Sequence, residues 1–251
     1  METARIWTEK LPRFRRHECK YLIPESAAGE LRRFIAPYTE PDPHANEQFH
    51  GSYRVLSLYL DTPKLRLYRE TREGLAERIK LRIRSYGKRD SAPVFLEVKR
   101  RRNRLVLKSR ARIGRGQMRE LLAGGAPDVG KLEGSCYDEF LCWIARYGAR
   151  PVVHVGYERE AHVGCFDRGL RVTLDRELRC ASADEGWRLE SAELDWVEPL
   201  TDRVILELKF DHAFPSWMRD LTRQLKLQRV SFSKYGHSVR SAFDPLIRSM
   251  A

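Results

Sequence analysis

Along ERIKLRIRSY, residues 77–86, apolar and charged positions alternate one for one. Ile79, Leu81 and Ile83 interleave with Arg78, Lys80, Arg82 and Arg84. Successive side chains of an extended chain point to opposite faces, so this period predicts a strand with one aliphatic face and one row of cations. The same period predicts strands over 15–23, 53–61, 93–100, 104–112, 152–160, 170–176 and 204–210, with a further short one over 229–235. Helical spacing separates them. Residues 24–38 carry Leu31, Phe34 and Ile35 on one stripe between Pro24 and Pro37. A short helix is predicted over 63–71, after Asp61. The segment 116–125 ends on Gly124 and Gly125, suited to a C-cap. Residues 135–148 space Phe140, Leu141, Ile144 and Tyr147 helically, and 215–226 does so with Trp217, Leu221 and Leu225. Such stripes are ordinary packing faces. No repeat, linker or compositional break divides the chain, so residues 1–251 are predicted to form one domain with a core over 14–240.

The strands share more than their period. Arg16, Glu18 and Lys20 align on one face, as do Glu97 with Lys99, Lys108 with Arg110 and Arg112, and Tyr157 with Arg159. So do Arg171, Thr173 and Asp175, and Glu207 with Lys209. Most of these rows stand opposite aliphatic faces such as Val94, Leu96 and Val98. A sandwich with its polar faces in water would alternate in the same way. Solvated faces, however, use Ser, Thr, Asn and Gln freely, and these use few. The helices also need apolar surface to cover. Covering the aliphatic faces turns the charged ones inward. The expectation is an α+β fold: a closed antiparallel β-barrel of about eight strands, with a charged interior and helices packed on the outside.

Bases exceed acids on these faces by about three to one. The whole chain has a net charge of +12 and 33% charged residues, against roughly 25% in an average globular protein. An enclosed row of cations calls for a polyanion, because like charges repel and desolvating each costs on the order of several kcal/mol. Arg offers phosphate a planar fork and Lys a point charge. Arg82 and Arg84 stand about 7 Å apart along a strand, the reach of neighbouring phosphates in a chain. Alternation thus predicts phosphate contacts from Lys20, Lys80, Arg82, Arg84, Lys99, Lys108, Arg110, Arg159, Arg171 and Lys209. The carboxylates either neutralise part of this lining or hold a divalent cation against phosphate; Glu207 leads, and Glu18, Glu97 and Asp175 follow.

Other chemistries fit less well. Nucleic-acid binding needs aromatics interleaved with the cations, and Tyr157 is the main instance. RRRNR at 100–104 reads as a solvated hairpin tip. Cys19, Cys136, Cys142, Cys165 and Cys180 are odd in number and form no C-x-x-C pair, which speaks against disulfides or a thiolate zinc site and for a reducing cytoplasm. The seven histidines show no metal-ligand spacing. No apolar run approaches the roughly 18 residues of a membrane span, and METARIWTEKLPRFRRHECK lacks the apolar core of a secretory signal. Oligomeric state is not encoded in these patterns.

Nine motifs in order carry a resemblance: R-x-E-x-K-Y at 16–21, S-L-Y-L-D-T at 57–62, K-L-R-I-R at 80–84, F-L-E-V-K at 95–99, K-S-R at 108–110, Y-E-R at 157–159, R-V-T-L-D at 171–175, L-E-L-K-F at 206–210 and S-K-Y at 233–235. Together they resemble the VTC domain, the catalytic domain of vacuolar transporter chaperone polyphosphate polymerases. That group lies in the triphosphate tunnel metalloenzyme, or CYTH-like, superfamily, whose barrel encloses a basic tunnel. The resemblance implies phosphate binding by Lys20, Arg82, Arg84, Lys99, Lys108, Arg159, Arg171, Ser233 and Lys234, and metal binding by Glu207. Lys20, Arg82, Arg84, Lys99, Arg159, Arg171 and Glu207 would carry catalysis. The implied reaction transfers the γ-phosphoryl group of ATP, or another triphosphate, to inorganic polyphosphate, with Mn²⁺ or Mg²⁺. Hydrolysis of tripolyphosphate or a nucleoside triphosphate, and polyphosphate binding without turnover, are the alternatives. Arg16 stands where tunnel triphosphatases and CYTH enzymes carry the first Glu of Glu-x-Glu-x-Lys, which favours the VTC branch. Neither an SPX domain nor membrane helices occur in these 251 residues. Any membrane association is therefore expected through a separate membrane protein.

Overall fold

The computed structural model describes residues 17–43, 45, 51–87, 94–103, 105–125, 127, 136–183, 194–211 and 213–243. Arg16, Arg104 and three of the histidines, His44, His50 and His212, lie outside them. In chain order, β1 (His17–Pro24) passes through a 3-10 turn into α1 (Ala28–Ile35) and the short β2 (Thr39–Pro41). Next come β3 (Ser52–Asp61), α2 (Arg66–Arg72), β4 (Glu77–Tyr86), β5 (Val94–Arg102), β6 (Leu105–Ile113), α3 (Arg115–Leu122) and α4 (Cys136–Tyr147). The chain continues through β7 (Arg150–Gly164), β8 (Arg171–Ser182), β9 (Arg203–Phe210), α5 (Ser216–Gln224) and α6 (Lys234–Phe243).

The strands form one antiparallel sheet in the order β1-β9-β8-β7-β3-β4-β5-β6, with β2 on β7. The sheet curls into a half-barrel whose terminal strands, β1 and β6, share no ladder among the described residues. Side chains span the seam instead, with Glu18 on β1 3.8 Å from Lys99 on β5. The free edge of β1 is met by another segment, which explains why β6 does not pair there. Tyr21 bridges Arg229, and the Val230 amide donates to the Lys20 carbonyl at 2.8 Å. The expected antiparallel sheet around a charged interior is present. Its closure is made by side chains where a fully closed barrel would carry a ladder.

The aliphatic rows lie on the convex side, as alternation requires. Leu81 and Ile83 of β4, Leu96 and Val98 of β5 and Leu58 and Leu60 of β3 pack with α3 and α4 residues Met118, Leu121 and Phe140. On the other half, Leu206 and Leu208 of β9 and Val172 and Leu174 of β8 meet Leu31 and Ile35 of α1 and Met218 and Leu221 of α5. Burying each such side chain contributes about 1.5–3 kcal/mol. Gly148 closes α4 with φ +55°, and the Ala149 amide then donates back to the Ile144 carbonyl. All five cysteines are free thiols.

Beyond the short β2, which no predicted strand covers, the C-terminal region differs from expectation. The strand predicted over 229–235 reduces to the single bridge at Arg229, and Lys234 instead begins α6. That helix packs on the concave side, where Tyr235, Val239 and Ala242 join an apolar cluster with Val55, Val155, Leu178 and Ile205. Tyr235 stacks on Tyr59 with centroids 4.7 Å apart and donates its hydroxyl to Asp61. Asp61 also accepts the Leu67 and Tyr68 amides, each at 2.8 Å, so one buried carboxylate ties α6 to the first turn of α2. Helix α6 therefore fills one end of the concave trough and leaves the other end to the charged rows.

Candidate functional site

Strand register builds the charged face. Lys20 faces Glu207 across β1–β9, Arg159 faces Asp175 across β7–β8, and Arg82 faces Glu97 across β4–β5. Lys99 stands between Lys80 and Lys108, so that three lysines cross β4, β5 and β6 in one row. The start of α6 adds Lys234 from above. All the predicted site residues fall within the described residues and on this concave side, and they sort into distinct groups.

The first group surrounds Asp175 and Glu207. Arg159 grips Asp175 with Nε at 2.6 Å and Nη2 at 2.7 Å. Lys234 Nζ reaches Asp175 at 2.5 Å and Glu207 at 3.0 Å. Glu207 also receives Lys209 at 2.6 Å and Lys20 at 3.2 Å. Burial alone would raise the pKa of Glu207, but Lys20, Lys209, Lys234 and Arg159 hold it well below the usual carboxylate range. Glu18 joins through Lys20 at 3.1 Å. Burial and the Glu207 charge push Glu18 up, but Lys99, Lys209 and Lys20 prevail and hold it at about 2.

The second group surrounds Glu97, whose residue is 1% exposed. It accepts Arg82 Nε at 2.6 Å and Lys108 at 2.7 Å, with Arg110 at 3.4 Å. Glu97 shares no ion-pair partner with Glu18, Asp175 or Glu207 among the described residues. β5 thus carries Glu97 to the wall of the trough opposite Asp175 and Glu207.

Several cations have little or no counter-charge. Arg84, only 4% exposed, donates to the Ser57 hydroxyl at 3.0 Å and lies 6.0 Å from the ring centroids of Tyr86 and Tyr157. No carboxylate stands within ion-pair distance of it among the described residues. Lys80 donates to Ser233 Oγ at 2.9 Å and likewise has no carboxylate there. Burial, then Lys99, Lys20, Arg78 and Arg82, push its pKa well below the ordinary lysine value. Burial and Arg82 bring Lys108 down to about 7 despite Glu97, and burial brings Lys209 to about 8 despite Glu207. The interior is thus short of negative charge.

Among the described residues Arg171 pairs with neither of these carboxylate groups. It ion-pairs with Asp42 and lies 3.3 Å from the Tyr53 hydroxyl, at the open end. Sequence reasoning missed Asp42, which sits outside any alternating strand, and missed Tyr59 and Ser57, which contact Arg82 at 3.1 Å and Arg84. Both lie on β3 at the parity that faces the cations, and that parity was the available signal.

Among the described residues, no three His, Cys, Asp or Glu side chains converge as a protein-only metal site requires. Glu18 and Glu207 converge on Lys20, and the hydroxyl of Thr173, register partner of Glu207, is buried without a hydrogen-bond partner. This donor set fits a hard divalent ion whose shell is completed by phosphate oxygens. It does not fit one held by the protein alone.

A family model described as the VTC domain matches residues 15–243. Two curated relatives are named Vacuolar transporter chaperone complex subunit 4. The Trypanosoma brucei brucei protein is 25% identical over 75% of this chain and 28% of its own length. The Schizosaccharomyces pombe protein is 26% identical over 92% of this chain and 38% of its own. The chain thus spans less than two-fifths of the length of these relatives. Solved structures from Bacillus halodurans (12% identity, TM-score 0.47, 87% of this chain and 95% of that one) and Pyrococcus horikoshii (16%, 0.44, 87% and 96%) also align. Among the described residues no helix is long and apolar enough to cross a membrane.

Proposed function

The chain belongs to the VTC domain family, and from that premise we propose that it is a phosphotransferase that passes the γ-phosphoryl group of ATP to an inorganic polyphosphate chain held in the trough. The observation that carries this reading is buried Arg84 together with half-buried Lys80: cations that face inward, each with a hydroxyl for company and no carboxylate within ion-pair distance among the described residues. A buried charge without a partner is costly, and a phosphate supplies the partner.

In this reading Arg82, Arg84 and Arg159 clamp the triphosphate, with Arg171 at the open end. Lys20, Lys80, Lys99, Lys108 and Lys234, with Ser233, line the path of the chain, and Lys209 and Arg110 add charge to the walls. Phosphoryl transfer depends on positioning and on neutralising the equatorial oxygens more than on covalent help. Glu207, with Glu18 and the Thr173 hydroxyl beside it, would hold Mn²⁺ or Mg²⁺ arriving with phosphate, and the ion would supply Lewis-acid charge there. Asp175 orients Arg159 and Lys234, and Glu97 orients Arg82.

The same ion pairs favour transfer over hydrolysis. Glu97, Asp175 and Glu207 all have pKa values lowered by their cation partners against the effect of burial, which makes each a weak base for activating water. A terminal phosphate is already an anion and needs no base. Association with a membrane-bound partner is part of the proposal, by analogy with relatives named for a complex. The test is to incubate the purified protein with ATP, Mn²⁺ and a short polyphosphate primer and to separate the products on a gel. Long chains are expected. Free phosphate alone would make the protein a hydrolase, and unchanged ATP and primer would make it a binder.

A further inference from the structure

Toward the end of the trough away from the Tyr59–Tyr235 stack stands a group of aromatic rings, two of which, Tyr53 and Tyr86, border the apolar cluster that α6 joins. Tyr53 on β3, Tyr86 on β4 and Phe95 on β5 share the inward parity of Ser57, Arg84 and Glu97. Tyr53 and Tyr86 have centroids 6.0 Å apart at 60°, and Tyr86 and Phe95 5.8 Å apart at 71°. The Tyr86–Phe95 contact is edge to face and the Tyr53–Tyr86 contact is tilted, so no two of the three rings form a parallel stack. The Arg110 guanidinium lies 3.5 Å from the Phe95 centroid and 5.2 Å from that of Tyr86, and its side chain stays 38% exposed. All three rings are half-buried. Tyr59 and Tyr235, at the other end, are sealed against each other near α2.

Distance along the strand links this mouth to the cations. Tyr86 follows Arg84 by one two-residue step, about 7 Å. A phosphate at Arg84 therefore places the next few ångströms of its molecule, on the outward side, among three rings and a guanidinium plane. Bare polyphosphate has only oxygens to offer there. A nucleoside offers a flat π-system, which stacks on aromatic rings and on Arg planes alike.

We propose that Tyr53, Tyr86, Phe95 and Arg110 form a base-stacking mouth that receives the nucleoside end of a nucleoside triphosphate, with the phosphates running inward to Arg84. This rests on the triphosphate reading above and adds to it a means of telling the donor from the polyphosphate product. Stacking accepts any flat base, so the mouth separates nucleotide from bare phosphate rather than one purine from another.

Calorimetric titration of the intact chain with two probes tests it: the β,γ-imido analogue of ATP and inorganic tripolyphosphate. Tyr86→Leu and Phe95→Leu should each weaken the imido analogue about tenfold and leave tripolyphosphate within about twofold, and Tyr86→Trp should retain the analogue's affinity. Equal weakening of both probes, or of neither, would overturn the mouth while leaving the triphosphate reading intact. Failure of the unmodified protein to bind either probe would remove that reading, and the mouth with it.

Discussion

On β4, Leu81 and Ile83 are fully buried on the convex side, while Lys80, Arg82 and Arg84 line the concave side of the same ten residues. The convex row is satisfied: every aliphatic side chain meets another from the sheet or its covering helices. The concave row is not, since its carboxylates are shared among several cations, and among the described residues Arg84 and Lys80 have none. The difference separates two kinds of contribution to one strand. The convex row supplies apolar burial, which holds the fold together. The concave row sets desolvation against incomplete pairing, and its net worth to stability is small or negative without a ligand.

Substitution on either face sharpens or breaks this division. The largest effect is expected for Arg84→Met, which should lower turnover about a hundredfold or more, as removal of one transition-state donor does elsewhere, while the thermal midpoint holds or rises. A fall in midpoint with turnover preserved would put Arg84 on the structural side. Leu81→Ala should do the reverse, costing about 3 kcal/mol in denaturant unfolding with tripolyphosphate affinity of the folded protein unchanged. Lys80→Met should weaken tripolyphosphate about tenfold and stabilise the ligand-free protein by about 1 kcal/mol, as read by calorimetry and by urea midpoints.

A smaller effect concerns pH. Lys108 and Lys209 have pKa values brought down to about 7 and 8 in the free protein. A bound polyanion favours their charged forms, so binding takes up protons once the pH exceeds those values. Tripolyphosphate affinity should therefore fall as pH rises from about 7 to 9, by a few-fold per lysine. The fall should shrink in Lys108→Arg, because Arg stays charged throughout. A flat profile in the unmodified protein would show that neither lysine meets the ligand.

The division of faces was legible in the sequence because a strand's period is two and the rows are nearly unbroken. ERIKLRIRSY alone separates Leu81 from Arg82. Helix α6 was not legible in the same way. KYGHSVRSAF contains Gly236 and several polar residues, and its signal is confined to Tyr235, Val239 and Ala242 at i, i+4 and i+7. Which carboxylate meets which cation was hidden too, because that depends on the curl of the sheet. Glu97 and Glu207 share a parity but lie on opposite walls, and Asp42 reaches Arg171 from beyond β2. The aromatic mouth was not read from the sequence, where Tyr157 stands as the main aromatic among the cations; Tyr86 and Phe95 were passed over, although each stands one two-residue step from Arg84 or Glu97.

The central claim is that the concave cations await a polyanion. Calorimetric titration of tripolyphosphate into the unmodified protein, Arg84→Met, Lys80→Met and Leu81→Ala tests it most directly. The account predicts saturable binding to the unmodified protein and to folded Leu81→Ala alike, and about tenfold or greater weakening in both concave variants. Absence of binding to the unmodified protein, or equal affinity in all four, would contradict it.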